Sequence, residues 1–368
     1  MDFLKEKMED GFVLLKRDIS LKKVYIEVTS RCNLSCITCI RNVWLDPMED
    51  MDLETFIGII EQLKGFKSVN EIVFGGYGEP LYHPQILQML EKTKMEGFKT
   101  TITTNGVLLD KKTASILVNL NLDQIVVSFD SAQPQQYGSI RIGASLVNVV
   151  ANINSLNEEK LKKKSHLPKI GIEFVVMKRN YQEIPAMTML ARTLGASFVK
   201  VTNNILPHTE EMTKEVLYGG QHELSLTPTW PVFMGEWLQW GSMELPRMKW
   251  GALRQCRFLL SDAVVISVDG KVSPCYPLLH SYPYYIFGRK KEVKKHSFGN
   301  VKEKKLINIL NADEFLRFRY RVRNFDFPSC VDCELNSNCE YASSNTDCWG
   351  GDPSCADCLF AQDIVRCP

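Results

Sequence analysis

The sequence has little charge of either sign to spare: 44 basic against 43 acidic residues give a net charge of +1 over 368 residues. A surface built for nucleic acid or anionic lipid would be biased toward Lys and Arg, so both partners are excluded as expectations. Long hydrophobic runs are also missing. The opening Met-Asp-Phe-Leu-Lys-Glu-Lys-Met-Glu-Asp has no apolar signal-peptide core, and no stretch is long enough to span a bilayer. A cytoplasmic protein without a membrane partner is expected. The length suggests two or three domains, with 45% hydrophobic residues to fill a core.

What the chain does have is cysteine, twelve in all, nine of them after residue 255. In a reducing compartment, clustered cysteines are more often metal ligands or catalysts than disulfides. Three more stand early, as Cys32-x3-Cys36-x2-Cys39, just after the β-branched run Val24-Tyr25-Ile26-Glu27-Val28-Thr29. A cubane iron–sulfur cluster takes four thiolates, so a group of three leaves one iron open to a ligand. Three small buried thiols or a zinc knuckle are the plainer readings, but zinc spacings pair C-x2-C with a second, distant pair.

From 23 to about 205, strand-like runs (23–28, 71–75, 99–103, 124–129, 170–176, 198–202) alternate with helical patterns at about 53–65, 84–95, 109–118, 145–156 and 181–193. Several strands are almost continuously apolar, as strands buried on both faces are. The alternation predicts right-handed parallel βαβ units. Six are too few for a closed eight-stranded barrel, so the expected α/β fold is an open (β/α)6 partial TIM barrel. Ligands of such folds sit at the carboxyl ends of the strands. There the sequence places Gly75-Gly76-Tyr77-Gly78-Glu79-Pro80, Thr103-Thr104-Asn105-Gly106, Ser128-Phe129-Asp130 and Val201-Thr202-Asn203-Asn204. Taken alone, these are also a Gly/Pro turn and helix caps. Arg31, Arg41 and Arg141 lie near the cysteine loop and the fourth strand, where a guanidinium binds a carboxylate or shields cluster charge.

The cysteine triplet in this setting resembles the signature of the radical S-adenosylmethionine (radical SAM) enzymes. The resemblance implies a 4Fe-4S cluster on Cys32, Cys36 and Cys39 whose open iron chelates SAM. It also implies SAM contacts at Gly75, Gly76 and Glu79, then at Thr104, Asn105, Ser128, Asp130 and Asn203. An electron passed from the cluster to SAM yields methionine and a 5′-deoxyadenosyl radical, which abstracts hydrogen from a substrate. Ferredoxin or flavodoxin is the expected electron donor.

Further on, Cys256-x13-Gly270-x4-Cys275 encloses a hairpin with a tight Asp269-Gly270 turn. Cys330-x2-Cys333-x5-Cys339 follows, and then Cys348, Cys355, Cys358 and Cys367. This is similar to the SPASM extension of radical SAM proteins, which carries two auxiliary 4Fe-4S clusters. By position, Cys256 and Cys275 belong to the first and Cys330, Cys333 and Cys339 to the second. Cys348 is assigned to the first and Cys358 to the second, with Cys355 and Cys367 open. Structural zinc is the competing reading, because Cys330-x2-Cys333 and Cys355-x2-Cys358 stand twenty-one residues apart, near a zinc-ribbon spacing.

The expected domains are a lead-in of one helix or hairpin (1–22), the partial barrel (23–205), a Pro/Trp-rich bridge (206–252) and a small cysteine-rich auxiliary-cluster domain (253–368). The closing stretch and Asn203-Asn204-Ile205-Leu206-Pro207 are similar to the family's maturases of tungsten cofactor oxidoreductases. That likeness implies a tungstopterin oxidoreductase, or its cofactor, as substrate. The alternative is a peptide maturase that crosslinks a precursor peptide. Such enzymes often carry a leader-binding domain ahead of the barrel, which the roughly twenty residues before the first strand here leave little room for. A non-catalytic iron–sulfur carrier or scaffold is the alternative of a different class. It has no use for the glycines and polar strand ends.

Overall fold

The computed structural model describes residues 2–8, 10–203, 207–218, 242–244 and 254–366. Its first element is a hairpin, β1 (Phe3–Met8) against β2 (Gly11–Lys16). Then the alternation begins: β3 (Lys23–Ile26), α1 (Leu53–Leu63), β4 (Glu71–Phe74), α2 (Ile86–Met95), β5 (Lys99–Thr104), α3 (Lys111–Asn119) and β6 (Gln124–Ser128). Next come α4 (Pro134–Ile140), α5 (Leu146–Lys163), β7 (Lys169–Val176), α6 (Ile184–Thr193) and β8 (Phe198–Asn203). β3 to β8 pair in chain order and in parallel.

The helices start where their caps say. Asp52 accepts the Thr55 N–H at 2.7 Å ahead of α1, and Asp110 does the same for Thr113 ahead of α3. α1 then buries Phe56, Ile59, Ile60 and Leu63, one stripe at helical spacing, against the sheet. The sequence reading missed α4. It is seven residues with Pro134 in its first turn and two buried side chains, Tyr137 and Ile140, too short for a periodic signal.

Six strands would leave two open edges, each a row of unpaired backbone groups. Both are covered. On one side a short strand, β9 (Ser242–Glu244), pairs in parallel with β8. On the other, β10 (Ala263–Ile266) pairs in parallel with β3, and β11 (Val272–Ser273) turns back beside it. Ala263, Val264, Val265 and Ile266 are all buried, which is the burial of a central parallel strand. The hairpin foreseen between Cys256 and Cys275 therefore completes the barrel's sheet. Gly270, at φ +86°, makes its turn.

Just before it lies α7 (Arg257–Leu260), and beyond it come the hairpin β12 (Tyr282–Ile286) and β13 (Arg289–Val293), α8 (Leu306–Leu310) and α9 (Asp313–Asn324). After α9 the chain runs to 366 in turns and two three-residue 3-10 segments. Trp230, Trp237, Trp240 and Trp250 of the foreseen bridge, and Cys367, lie outside the described residues. Among those described, no helix is long and apolar enough to cross a membrane.

Candidate active site

One cavity opens at the carboxyl ends of β3 to β7. Cys32, Cys36 and Cys39 line it together with Gly76, Glu79, Thr104, Asn105 and Ser128. Residues from four loops foreseen separately in the sequence thus meet in one place.

The cysteine loop is pinned from several sides. Ser35 and Ile37 donate their N–H groups to the carbonyls of Ile142 and Ile140, so the unforeseen α4 and its exit anchor the loop. Ser30 and Glu49 bond each other across its base. Arg41 donates to the Leu34 carbonyl at 2.8 Å, and Asn42 to that of Cys36 at 2.9 Å. Asn105 ties the loop to the end of β5, donating to Asn33 Oδ1 at 2.8 Å and lying 3.7 Å from Cys32 Sγ. The Leu34 N–H also points at that sulfur, at 3.4 Å. Burial pushes the Cys36 thiol up to about 11, with Arg141 pulling against it, and raises Cys32 against the pull of Arg41. Thiols so placed bind as thiolates only when a cation displaces their protons. The two guanidiniums and the N–H donors aimed at sulfur suit the negative charge of a thiolate-bound cluster.

The glycine loop after β4 is shaped by close approach. At Gly76, φ is +138° and a Cβ would meet Glu27 Cγ at 2.5 Å, while a Cβ at Gly78 would collide with the Thr29 carbonyl. At Gly75 it would crowd Thr103 Oγ1 at 2.8 Å and the Tyr276 hydroxyl at 3.0 Å. Gly76 and Gly78 line the cavity, so backbone without side chains is presented to it there.

Two of the foreseen ligand contacts have their polar atoms engaged elsewhere. Glu79 is buried and accepts from the Asn105 N–H at 2.7 Å, Thr104 Oγ1 at 2.8 Å and the Leu81 N–H at 3.0 Å. It fastens the glycine loop to the end of β5; Thr104 supports the same fastening. Asp130 is fully buried, pairs with Arg141 Nε at 2.8 Å and accepts the Val175 N–H at 3.2 Å. It is absent from the cavity wall and holds in place Arg141, which is on it. Ser128 does face the cavity. Asn203 ends β8 opposite Val176, and Gly75 lies beneath the cavity lining.

The sequence reading missed Glu173. It is the lone acid in Ile170-Gly-Ile-Glu-Phe-Val-Val, and it lines the cavity from β7. Burial raises its carboxyl above the usual range, opposed by Lys200 and Arg141. An acid inside an apolar strand was the available signal. Phe360 and Arg366 were missed too: the cysteine-rich tail reaches the same cavity.

In the tail, the thiols of Cys256, Cys355 and Cys358 lie within electrostatic reach of one another, and Cys275 and Cys358 both reach the Tyr282 hydroxyl. Cys330 lies within the same kind of reach of Cys348. Cys330, Cys355 and Cys358 share Lys291 as a charged neighbour, and Asp357 neighbours both Cys330 and Cys358. Among the described residues, no three His, Cys, Asp or Glu side chains are grouped as ligands of a single metal ion.

Residues 26–191 match the model of the radical SAM superfamily, and residues 256–334 that of the SPASM iron–sulfur cluster-binding domain. The "Tungsten-containing aldehyde ferredoxin oxidoreductase cofactor-modifying protein" of Pyrococcus furiosus is 37% identical over 350 residues, 95% of this chain and 97% of that one. The chain belongs to the radical SAM enzymes with a SPASM domain. It therefore works with SAM, a 4Fe-4S cluster and auxiliary iron–sulfur clusters, and the carrier alternative falls. The PqqA peptide cyclase of Gluconobacter oxydans is 30% identical over 178 residues, about half of each chain. The structure of Streptococcus suis SuiB bound to S-adenosylmethionine superposes with a TM-score of 0.59 at 19% identity, covering 89% of this chain and 73% of that one. This second likeness is one of fold.

Proposed function

We propose that this enzyme is a maturase of a tungsten-containing oxidoreductase or of its tungstopterin cofactor. The observation that carries the reading is the near end-to-end likeness to the Pyrococcus furiosus cofactor-modifying protein, tail included. The peptide-maturase reading has only half-chain identity and a shared fold behind it.

When bound, the cluster and SAM supply reductive cleavage of the C5′–S bond and a hydrogen-abstracting radical. The chain's own groups divide the remaining work. Cys32, Cys36 and Cys39 hold the cluster, and Arg41 and Arg141 balance its charge. Gly76 and Ser128 offer backbone and hydroxyl groups to SAM, Gly75 shapes the loop from beneath, and Asn203 at the end of β8 would stand toward the adenine. Glu79, Thr104, Asn105 and Asp130 act one step back, by fixing the loops that touch it. Glu173 faces the reaction space as a carboxyl whose proton affinity burial raises.

In the tail, Cys256, Cys275, Cys355 and Cys358 form one auxiliary set, and Cys330, Cys333, Cys339 and Cys348 the other, leaving Cys367 spare. The proposed domains are 1–22, 23–205, 206–252 and 253–368, the last two lending β9 and the β10–β11 hairpin to the barrel's sheet. A ferredoxin or flavodoxin in the cytoplasm delivers the electron.

The test pairs reduced enzyme and SAM with a tungstopterin oxidoreductase produced without its maturase. Release of 5′-deoxyadenosine that depends on this partner, with gain of its activity, supports the reading. Release triggered equally well by a precursor peptide, and not by the partner, overturns it.

A further inference from the structure

Three segments far apart in the chain meet beneath the glycine loop. Glu27, directly after β3, is fully buried and accepts the Tyr77 N–H at 3.0 Å on one carboxylate oxygen. Its other oxygen lies 2.9 Å from His280 Nε2. His280 Nδ1 lies 3.0 Å from Asp46 Oδ2, and Asp46 also takes Lys295 Nζ at 2.7 Å. Both ring nitrogens of a buried imidazole thus face carboxylates. A neutral ring has one N–H and satisfies one of them; the doubly protonated ring satisfies both.

Burial pulls the His280 proton affinity down, but Glu27 and Asp46 outweigh it and leave the ring above its ordinary value. The indole of Trp44 lies against His280 at 3.9 Å between centroids, and Tyr77 packs edge-on to both. The same segment carries Cys275 five residues earlier, and Tyr276 between them packs its hydroxyl under Gly75. The cysteine-rich region therefore touches the glycine loop twice: at Gly75 through Tyr276, and at Tyr77 through His280 and Glu27.

We propose that Glu27, His280 and Asp46 form a clamp by which the Cys275–His280 segment holds the Gly75–Pro80 loop in its SAM-receiving shape. Loading of the first auxiliary cluster at Cys275 and SAM affinity are then coupled. The inference rests on the reading of the cavity as the SAM site. His280 is a positioning residue here, acting through Glu27 on the Tyr77 N–H. Because coupling between two sites is reciprocal, SAM should in turn protect the auxiliary region.

The experiment titrates SAM into the reduced, fully reconstituted chain and reads the electron paramagnetic resonance signal of the cluster on Cys32, Cys36 and Cys39. If SAM leaves the signal of the unaltered protein unchanged, the SAM-site reading itself fails before any variant is consulted. Given a response, His280→Gln is expected to raise the SAM Kd about tenfold at unchanged iron content, the cost of one charge-assisted hydrogen bond. Asp46→Asn, a milder change, is expected to raise it about threefold. Cys275→Ser weakens SAM binding in the unaltered background and adds nothing beside His280→Gln. A variant with a lower melting temperature and unchanged SAM Kd overturns the clamp, and so does full additivity of Cys275→Ser with His280→Gln. If His280→Gln fails to fold, Asp46→Asn decides alone, and an unchanged Kd there overturns the clamp.

Discussion

The barrel and the tail both gather cysteines, but they hold them by different means. Cys32, Cys36 and Cys39 ride on a loop pinned by backbone and side-chain hydrogen bonds above a sheet with its own core, including Phe56, Phe74, Ile102, Val127 and Phe174. After α9, residues 325–366 have no strand and only two short 3-10 turns among the described residues. Polar ties do much of the holding there: Asp357 takes both Lys291 and Arg289, Arg254 grips Asp332, and Asn345 bonds the backbone of Lys294. Phe327, Leu359, Phe360, Ile364 and Val365 add apolar burial against Trp44, Tyr282, Tyr284 and Phe318. In the barrel the metal is a guest of a finished fold. In the tail, where no strand organises the described chain, the metal is expected to be part of the fold, as metals are in small cysteine-rich domains.

Stripping iron anaerobically should break this comparison most visibly. Hydrogen exchange is expected to rise through residues 325–366 by orders of magnitude while β3 to β8 keep their protection. Uniform loss across both regions would erase the distinction. A smaller effect is expected from Glu79→Ala, which strips the acceptor from the Asn105 and Leu81 N–H groups and Thr104 Oγ1. It should cost about 2 kcal/mol of barrel stability, read by denaturant unfolding, and weaken SAM binding while leaving auxiliary iron in place. The smallest effect is a pH dependence at the junction of the two regions, where Glu27, Asp46, Lys295 and the Tyr77 ring surround His280. Its folded proton affinity is raised, so its contribution is complete below the ordinary histidine value and fades as pH rises through the folded one. Melting temperature should fall more steeply above neutral pH in the unaltered protein than in His280→Gln.

The same contrast explains how far the sequence could be read. Strand and helix periodicity located β3 to β8 and five helices because each buries a regular face, Phe56, Ile59, Ile60 and Leu63 on α1 being the clearest case. The cavity was legible because parallel strands deliver their ends to one side, bringing Gly76, Asn105 and Ser128 to the cysteine loop. Hidden were features that depend on who packs against whom. Glu79 and Asp130 are acids in the expected places whose oxygens turn inward, and Glu173 is an acid in a strand that reads as core. β10 closing the sheet on β3 is a contact across more than 200 residues, for which no local pattern exists.

The most direct test of the account is iron content and 5′-deoxyadenosine release by the anaerobically reconstituted chain, beside its Cys36→Ala variant. About twelve irons and SAM cleavage in the unaltered chain, with about eight irons and no cleavage in the variant, is the predicted result. Cleavage that survives Cys36→Ala, or a full iron load that never cleaves SAM even with the tungstopterin partner present, would contradict it.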